Sequence, residues 1–348
     1  MKKIMVTGSC GLIGSQTAKF FHSLGFEVLG VDDDSRASFF GGQASTSKVR
    51  HFLETMPNYK HVPFSILNLG EMERAVEEFR PDLIVHTAGQ PSHDWAAENP
   101  FEDFDANARG TLNVLHAAKK HAPECVFIFT STNKVYGDWP NRRSKYTQKA
   151  TRWEPNDEEL SEFGFNESLG VDQCKHSLFG VSKLYADMIV QEYARYFGMR
   201  TGVFRFGCVT GPTHMGVEKH GFLSYLFKCI KEGRKYTIYG YAGKQVRDNI
   251  HAFDAATAFY EFFLNPKPGE VYNIGGSWAS NCSILEAIQL GECITGKKLQ
   301  VEVVGEPREG DHIWYVSDMR KFCSDYPGWK HSYSFSTIVE EMLVGGAA

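Results

Sequence analysis

Three glycines near the start of the chain, Gly8, Gly11 and Gly14, stand in the frame G-x-x-G-x-x-G between the apolar run KIMVT and a helical pattern. That spacing suits a diphosphate held by backbone amides. The first glycine permits a tight turn, the second lets the main chain approach a pyrophosphate, and the third lets a helix pack closely on a strand. The electropositive end of that helix then faces the phosphates. An acidic residue closes the next apolar run, VLGVDDD, with Asp32 eighteen positions after Gly14. A carboxylate there accepts hydrogen bonds from an adenosine ribose diol and repels a 2′-phosphate, so NAD is expected over NADP. A solvated turn would account for Asp32–Asp34 alone, but not for the whole strand–glycine–helix–strand–acid series.

The elements that must position these residues follow a β–α–β–α rhythm. Strands are expected at Lys3–Thr7, Glu27–Val31, Leu83–His86, Val126–Thr130 and Thr201–Phe206, with a weaker one near His61–Ile66. Amphipathic stretches at Leu12–Ser23, Glu71–Phe79, Ala106–Lys120 and Ser182–Tyr196 alternate with them. The fold class expected is α/β: a Rossmann-like, doubly wound parallel sheet, its central strands buried on both faces. Two long polar connections, Asp33–Asn58 and Asp138–His176, interrupt the rhythm, and connections of that length are usually functional. After Phe206 the pattern loosens into short elements at Tyr236–Gly240, Ala255–Phe263, Val271–Ile274 and Ile284–Cys293. The domains expected are therefore 1–206, with the long loop 138–176, for the dinucleotide. A smaller mixed α/β region, 207–348, partly returns to the first domain and takes the substrate.

The composition narrows the class further. With 348 residues, 42% hydrophobic, the chain can bury a real core, and a net charge of −5 gives no basic patch for nucleic acid or a membrane surface. The eight cysteines form no CxxC pair and no ligand spacing with histidine, so neither a metal nor a disulfide framework is expected. The opening MKKIMVTGSCGLIG has glycines inside its apolar run and is expected to form a first strand rather than a signal peptide. A soluble protein of the reducing cytoplasm, without a membrane span, is the expectation.

The later motifs are more specific than the glycines. GSCGLIG, HTAGQ, NARGTLN, FTSTNKVYGD, SLFGVSK, GKQVRDNIHAFD and REGDHIWYVSD occur in the order seen in extended short-chain dehydrogenases/reductases of the NAD-dependent nucleotide-sugar epimerase/dehydratase family. The resemblance covers essentially the whole chain, and AGQ, STNKVYGD and GKQVRD are most similar to its CDP-paratose 2-epimerase group. It implies a Rossmann domain followed by a small C-terminal domain with substrate between them, tightly bound NAD, a homodimer formed through a helix bundle, and a nucleotide-diphosphate sugar, CDP- or GDP-linked, as substrate. It implies a cofactor site of Gly8, Gly11, Leu12, Ile13, Gly14, Asp32, Asp33, Ser35, Arg36, Ile66, Ala88, Gly89, Gln90, Asn107 and Lys183. By the same resemblance Thr132 hydrogen-bonds the reacting sugar hydroxyl, and Lys183 binds the nicotinamide ribose. Arg247 and Arg308 grip the substrate diphosphate, a role that suits a permanently charged guanidinium fork. Asn133, Lys134, Tyr136 and Glu167 then lie near the sugar. Ion pairing of the arginines with Asp248 or Asp311 is the plainer alternative.

Two positions depart from the family pattern. Its Tyr-x-x-x-Lys motif here runs from Phe179 to Lys183, and a benzene ring cannot exchange the proton that the tyrosine removes from the sugar hydroxyl. Losing a positioned acid/base costs ~10²–10⁴-fold in rate. Substitutes available in the sequence are His93, Asp94, Lys175, His176 and Cys208. Ser65 stands where relatives carry an aspartate for the adenine amino group, which puts that contact in doubt. Three readings follow: an epimerase that shuttles hydride through bound NAD; another nucleotide-sugar reaction on the same scaffold, such as dehydration, decarboxylation or pyranose–furanose interchange; and a catalytically silent NAD- or nucleotide-sugar-binding homologue. Tyr225, Tyr236, Tyr239 and Tyr241 could stack on a nucleobase, or simply pack in strands.

Overall fold

The computed structural model describes residues 1–214, 216 and 221–345. Its contacts divide the chain into two units, Met1–Thr132 with Leu178–Arg205 and Ala255–Tyr272, and Asn133–Ser177 with Phe206–Asp254 and Asn273–Ala348.

In the first unit the apolar runs become β1 (Lys3–Thr7), β2 (Glu27–Val31), β3 (Tyr59–Val62), β4 (Leu83–His86) and β5 (Val126–Thr132). β1 pairs in parallel with both β2 and β4, β2 with β3, and β4 with β5. The seven-stranded sheet runs in the order Glu270–Ile274, Arg200–Phe206, β5, β4, β1, β2, β3. Strand order reverses beside β1, which puts the carboxyl ends of β1 and β4 at a switch point, where open α/β sheets bind ligands. Met5, Ile84, Phe127, Phe129 and Val203 bury one face against Met72, Val76, Val114, Leu115 and Val190 of the covering helices. On the other face Phe21 of helix α1 (Leu12–Ser23) meets Phe26 and Tyr260, and Phe204 meets Phe259 and Phe262. Burial on both faces is why these strands are continuously apolar rather than alternating.

Boundaries moved where local signals were weak. The third strand spans Tyr59–Val62, earlier than the expected His61–Ile66. The stretch Asp33–Asn58 is not a simple loop: it holds helices Ser35–Phe40 and Ser47–Glu54, which bury almost nothing except Leu53 and so carry little periodic signal. Asp34, in a left-handed turn at φ 57, ties the start of this excursion to the start of its second helix by accepting a hydrogen bond from Thr46 N at 2.8 Å. The helix expected from Ala106 begins instead with a π-turn over Asp105–Arg109 before the regular helix Gly110–His121.

The second unit is a mixed α/β body. Strand Val246–His251 pairs in parallel with Cys208–Thr210 and with Trp314–Tyr315, and antiparallel with Asn281–Ser283. Helices Phe222–Glu232, Ile284–Thr295 and Phe335–Val344 enclose a core that includes Leu226, Phe227, Ile230, Ala287 and Val339. The 138–176 stretch holds a hairpin, Tyr146–Gln148 with Trp153–Pro155, which Arg152 anchors to Glu286 at 2.6 Å. No helix among the described residues is long and apolar enough to cross a membrane.

Candidate active site

The glycine turn forms because larger residues cannot occupy it. Gly8 has φ +67, and a Cβ there would meet Ala88 N at 2.7 Å; a Cβ on Gly14 would meet Gly8 O at 2.0 Å. The first turn of α1, with Leu12 and Ile13 half-buried, begins at Gly11, whose cap position has no side-chain hydrogen bond. Its opening amides are the orphan donors that every helix leaves at its start. At the end of β2, Asp32 accepts hydrogen bonds from Cys10 N and Asp34 N, both at 2.9 Å, and burial pushes its carboxyl up. A carboxylate fixed by two backbone amides still has lone pairs for a diol. Next to it Asp33 accepts from Ser35 N at 3.0 Å, and the Arg36 guanidinium lies over the Phe40 ring. Ser65 is committed to its own turn, its Oγ accepting from Leu67 N at 3.4 Å. Ile66 is buried, and its carbonyl accepts from Asn113 Nδ2 at 3.0 Å.

At the ends of β4 and β5 the same unit holds a buried polar network. Asn107 Oδ1 accepts from Gln90 N at 3.0 Å; its Nδ2 shares its hydrogens among Gln90 O, Asp103 Oδ1 and Ser182 Oγ at 3.0–3.1 Å. The π-turn rotates Asn107 into this position, and such single-turn bulges often mark functional sites. A Cβ on Gly89 would come within 2.7 Å of Asn107 Oδ1 and 3.9 Å of Lys183 Nζ, so the Ala88–Gln90 loop lies hard against both. Lys183 donates from Nζ to Thr130 O at 2.7 Å and lies over the Phe129 ring. Burial pulls its ammonium down to about 7, opposed by Asp187 and Asp103. One turn further along the same helix, Asp187 accepts from Ser131 Oγ at 2.6 Å and from Arg205 through two nitrogens at 2.8 and 2.9 Å. The Ser131–Asp187 bond ties the strand end carrying Thr132 to the helix carrying Lys183 and Phe179. Phe179 is buried, and the His93 ring meets it edge-on with centroids 5.0 Å apart.

His86 anchors the sheet behind this network. Thr111 donates to Asn107 O at 2.6 Å, so its oxygen accepts from His86 Nε2–H at 2.9 Å, which leaves Nδ1 to accept from Thr7 Oγ1 at 2.6 Å. Burial pulls this imidazole down to about 3, so it stays neutral.

In the second unit, Arg247 donates from Nη1 to His312 O at 2.6 Å, and its Nη2 lies 3.2 Å from Asp311. The plainer ion-pair alternative for this arginine is thus present, with Asp311 as the partner. Lys134, half-buried, donates from Nζ to Gly310 O at 2.9 Å, and desolvation with Arg247 nearby pulls it down to about 8. Two cations therefore grip the 308–312 loop. The Arg308 guanidinium stacks over Tyr239 at 4.2 Å, Tyr236 is buried, and Asn133 is buried at the start of the unit. Glu167 accepts from Asn273 N at 2.7 Å, and burial pushes its carboxyl up. Tyr136 is fully buried and donates its hydroxyl to Asn273 Oδ1 at 2.8 Å.

The sequence reading missed Asp103, Ser131, Asp187 and Arg205. Asp187 had one usable signal, its i+4 spacing from Lys183 on a helical pattern, but its partner comes from a strand eighteen residues on. No group of three or more metal-ligating side chains occurs among the described residues.

The sheet order, the glycine turn feeding α1 and the acid ending β2 define a Rossmann-type dinucleotide-binding protein. The chain belongs to the NAD-dependent epimerase/dehydratase family, whose family model matches residues 4–275. It is accordingly an NAD-dependent enzyme, and the residues fit that cofactor: the closed glycine turn, the unspanned helix start and the fixed Asp32 carboxylate suit a diphosphate and a ribose diol. CDP-paratose 2-epimerase of Salmonella typhi is 32% identical over 352 residues, 98% of each chain. A dTDP-glucose 4,6-dehydratase of Neisseria meningitidis is 27% identical over 329 residues, 91% of this chain and 82% of that one. Among solved structures, a UDP-glucose 4-epimerase of Thermus thermophilus in complex with NAD has a TM-score of 0.80 at 22% identity, covering 99% of this chain and all of that one. A UDP-glucuronic acid 4-epimerase of Bacillus cereus with UDP-glucuronic acid and NAD gives 0.80 at 23%, covering 99% and 98%.

Proposed function

We propose that this enzyme is a nucleotide-sugar epimerase acting like CDP-paratose 2-epimerase on a CDP-linked deoxyhexose, with a GDP-linked sugar as the second candidate. The observation that carries epimerisation over dehydration is the pair that follows Thr132. Loss of water requires a proton donor at the departing hydroxyl, whereas Asn133 is a neutral amide and the Lys134 ammonium already donates to Gly310 O. In this reading the first unit carries NAD, with Gly8, Gly11, Gly14 and Asp32 at its diphosphate and ribose and Asn107, Gly89 and Lys183 at its nicotinamide end. The second unit carries the sugar nucleotide, with Arg247 and Arg308 on the diphosphate.

Bound NAD supplies a hydride acceptor whose reduced form returns the hydride, so no external reductant is consumed. The protein's own contribution is positional and electrostatic. Thr132 hydrogen-bonds the reacting hydroxyl and fixes which carbon faces the ring, and the Lys183 ammonium favours the developing alkoxide. Arg247 and Arg308 hold one diphosphate while the oxidised sugar turns over. Purified protein given a panel of CDP-, GDP-, UDP- and dTDP-sugars in D₂O is expected to convert one of them, with transient absorbance of reduced nicotinamide. A panel with no conversion removes the epimerase reading.

Phe179 favours a second reading, a ring interchange that uses no hydride. Conversion without any nicotinamide absorbance change would select it.

We further propose a homodimer. On the helix Leu178–Phe197, Leu178, Val181, Tyr185 and Met188 form an exposed stripe at spacings of three and four, beside exposed Phe101 and Phe104. An apolar stripe of that kind on a soluble surface marks an interface. Val181→Glu is expected to halve the mass seen by analytical ultracentrifugation; an unchanged mass would argue against this face. Eight unpaired cysteines suit a reducing compartment, and the cytoplasm is the location proposed.

A further inference from the structure

Oxidising a sugar hydroxyl requires a proton acceptor as well as a hydride acceptor, and the candidate side chains leave few choices. Lys183 is tied to Thr130 O, and Asp103 is buried within the Gln90–Asn107 network. Phe179 has no exchangeable proton. Of the substitutes in the sequence, Lys175 lies on an exposed ion pair with Glu309. His176 meets Val135 O through Nε2 at 2.8 Å. Burial pushes the Cys208 thiol up to about 11, which keeps it a neutral thiol. Asp94 follows His93 on a helix, where successive side chains diverge by about 100°. His93 alone among them is in ring contact with Phe179.

We infer that His93 is the catalytic acid/base of this enzyme, its imidazole taking the proton of the sugar hydroxyl at the place where the Phe179 ring offers none. The inference rests on the epimerase reading above. His93 is half-buried as the first residue of helix His93–Glu98, which packs against both the Leu178–Phe197 and the Pro100–Phe104 helices. The O–H bond breaks with its proton passing to an imidazole nitrogen, directly or through one water. The oxygen keeps that electron pair and forms the carbonyl as the C–H hydride departs to bound NAD. The return of hydride to the opposite face draws the same proton back, so the cycle balances without any other oxidant or reductant. An imidazole is the side chain best suited to take up and return a proton in this way. The charged groups on the elements around it are Asp94 and Glu98 on its own helix, Lys183, Asp187, Glu192 and Arg195 on the Leu178–Phe197 helix, and Glu102 and Asp103 on the Pro100–Phe104 helix. Arg36 belongs to the Ser35–Phe40 helix, which reaches it through the Phe39–Trp95 ring contact.

The experiment uses the NAD-loaded protein and the nucleotide sugar that the panel converts, with His93→Asn, His93→Gln, Phe179→Tyr and the double variant His93→Asn/Phe179→Tyr. Both His93 variants are expected to lose ~10²-fold or more in kcat, with substrate binding by calorimetry unchanged. Phe179→Tyr is expected to recover at least ~10-fold in the His93→Asn background, because a phenol restores a proton acceptor beside Lys183. Independently of turnover, the ¹³C-imidazole resonance that vanishes in His93→Asn is expected to shift when the sugar nucleotide binds. His93 variants within about threefold of wild type, a double variant no faster than His93→Asn, or a resonance indifferent to substrate would each overturn the assignment. A wild type that binds and converts nothing fails at the earlier step, the epimerase reading, and is recognised by that alone.

Discussion

Replacing Arg205 with methionine is expected to cost about 3–5 kcal/mol of folding stability, because it strands a carboxylate in the interior. The side chains of Arg205 and Asp187 are 6% and 0% exposed, and two nitrogens of the guanidinium bond the carboxylate at 2.8 and 2.9 Å. After the substitution, Asp187 keeps Ser131 and Gln191 as donors but loses its closest full positive charge. Urea denaturation should show a lower midpoint with an unchanged slope, which separates lost stability from a changed denatured state. The double variant Arg205→Met/Asp187→Leu should be less damaged than Arg205→Met alone, since neither partner then carries an uncompensated charge. A single variant as stable as wild type would mean that water reaches Asp187.

Gly14→Ala is expected to weaken NAD binding by roughly a hundredfold or more, equivalent to about 2.7 kcal/mol. The added methyl would stand 2.0 Å from Gly8 O and 2.9 Å from Ser9 Cα. Those are backbone atoms of the turn itself, so no rotamer change relieves the overlap, and α1 must move off β1. Gly11→Ala is the informative contrast. Among the described residues an added Cβ would meet Gly8 O alone, at 3.3 Å, so the fold should survive while the diphosphate loses its close approach to the main chain. Calorimetry of NAD binding paired with thermal melts distinguishes the cases: Gly14→Ala should lower both, Gly11→Ala chiefly the affinity. Equal NAD affinity for Gly14→Ala and wild type would show that the glycine turn does not hold the cofactor.

Much of this was legible before any coordinates. The KIMVT–glycine–helix series and Asp32 announce themselves locally, because a doubly buried strand must be apolar and a turn this tight admits only glycine. The Asp33–Asn58 excursion was opaque because its two short helices bury only Leu53 and Ala44 lies in the turn between them. The π-turn that aims Asn107 carries no residue signature, since it differs from the neighbouring helix only in which carbonyl each amide chooses.

By itself, the sequence determined the order of strands and helices, the dinucleotide turn, the preference for NAD and the absence of a phenol at position 179. Tertiary structure alone decided that Asp187 answers Arg205, that Arg247 leans on Asp311, and that the His93 ring meets Phe179. The reason is one of range. Glycine, proline and hydrophobic periodicity act over one or two turns of chain, and a sequence displays them directly. Which buried charge or imidazole meets which partner depends on segments tens of residues apart, brought together only when the sheet closes its layers.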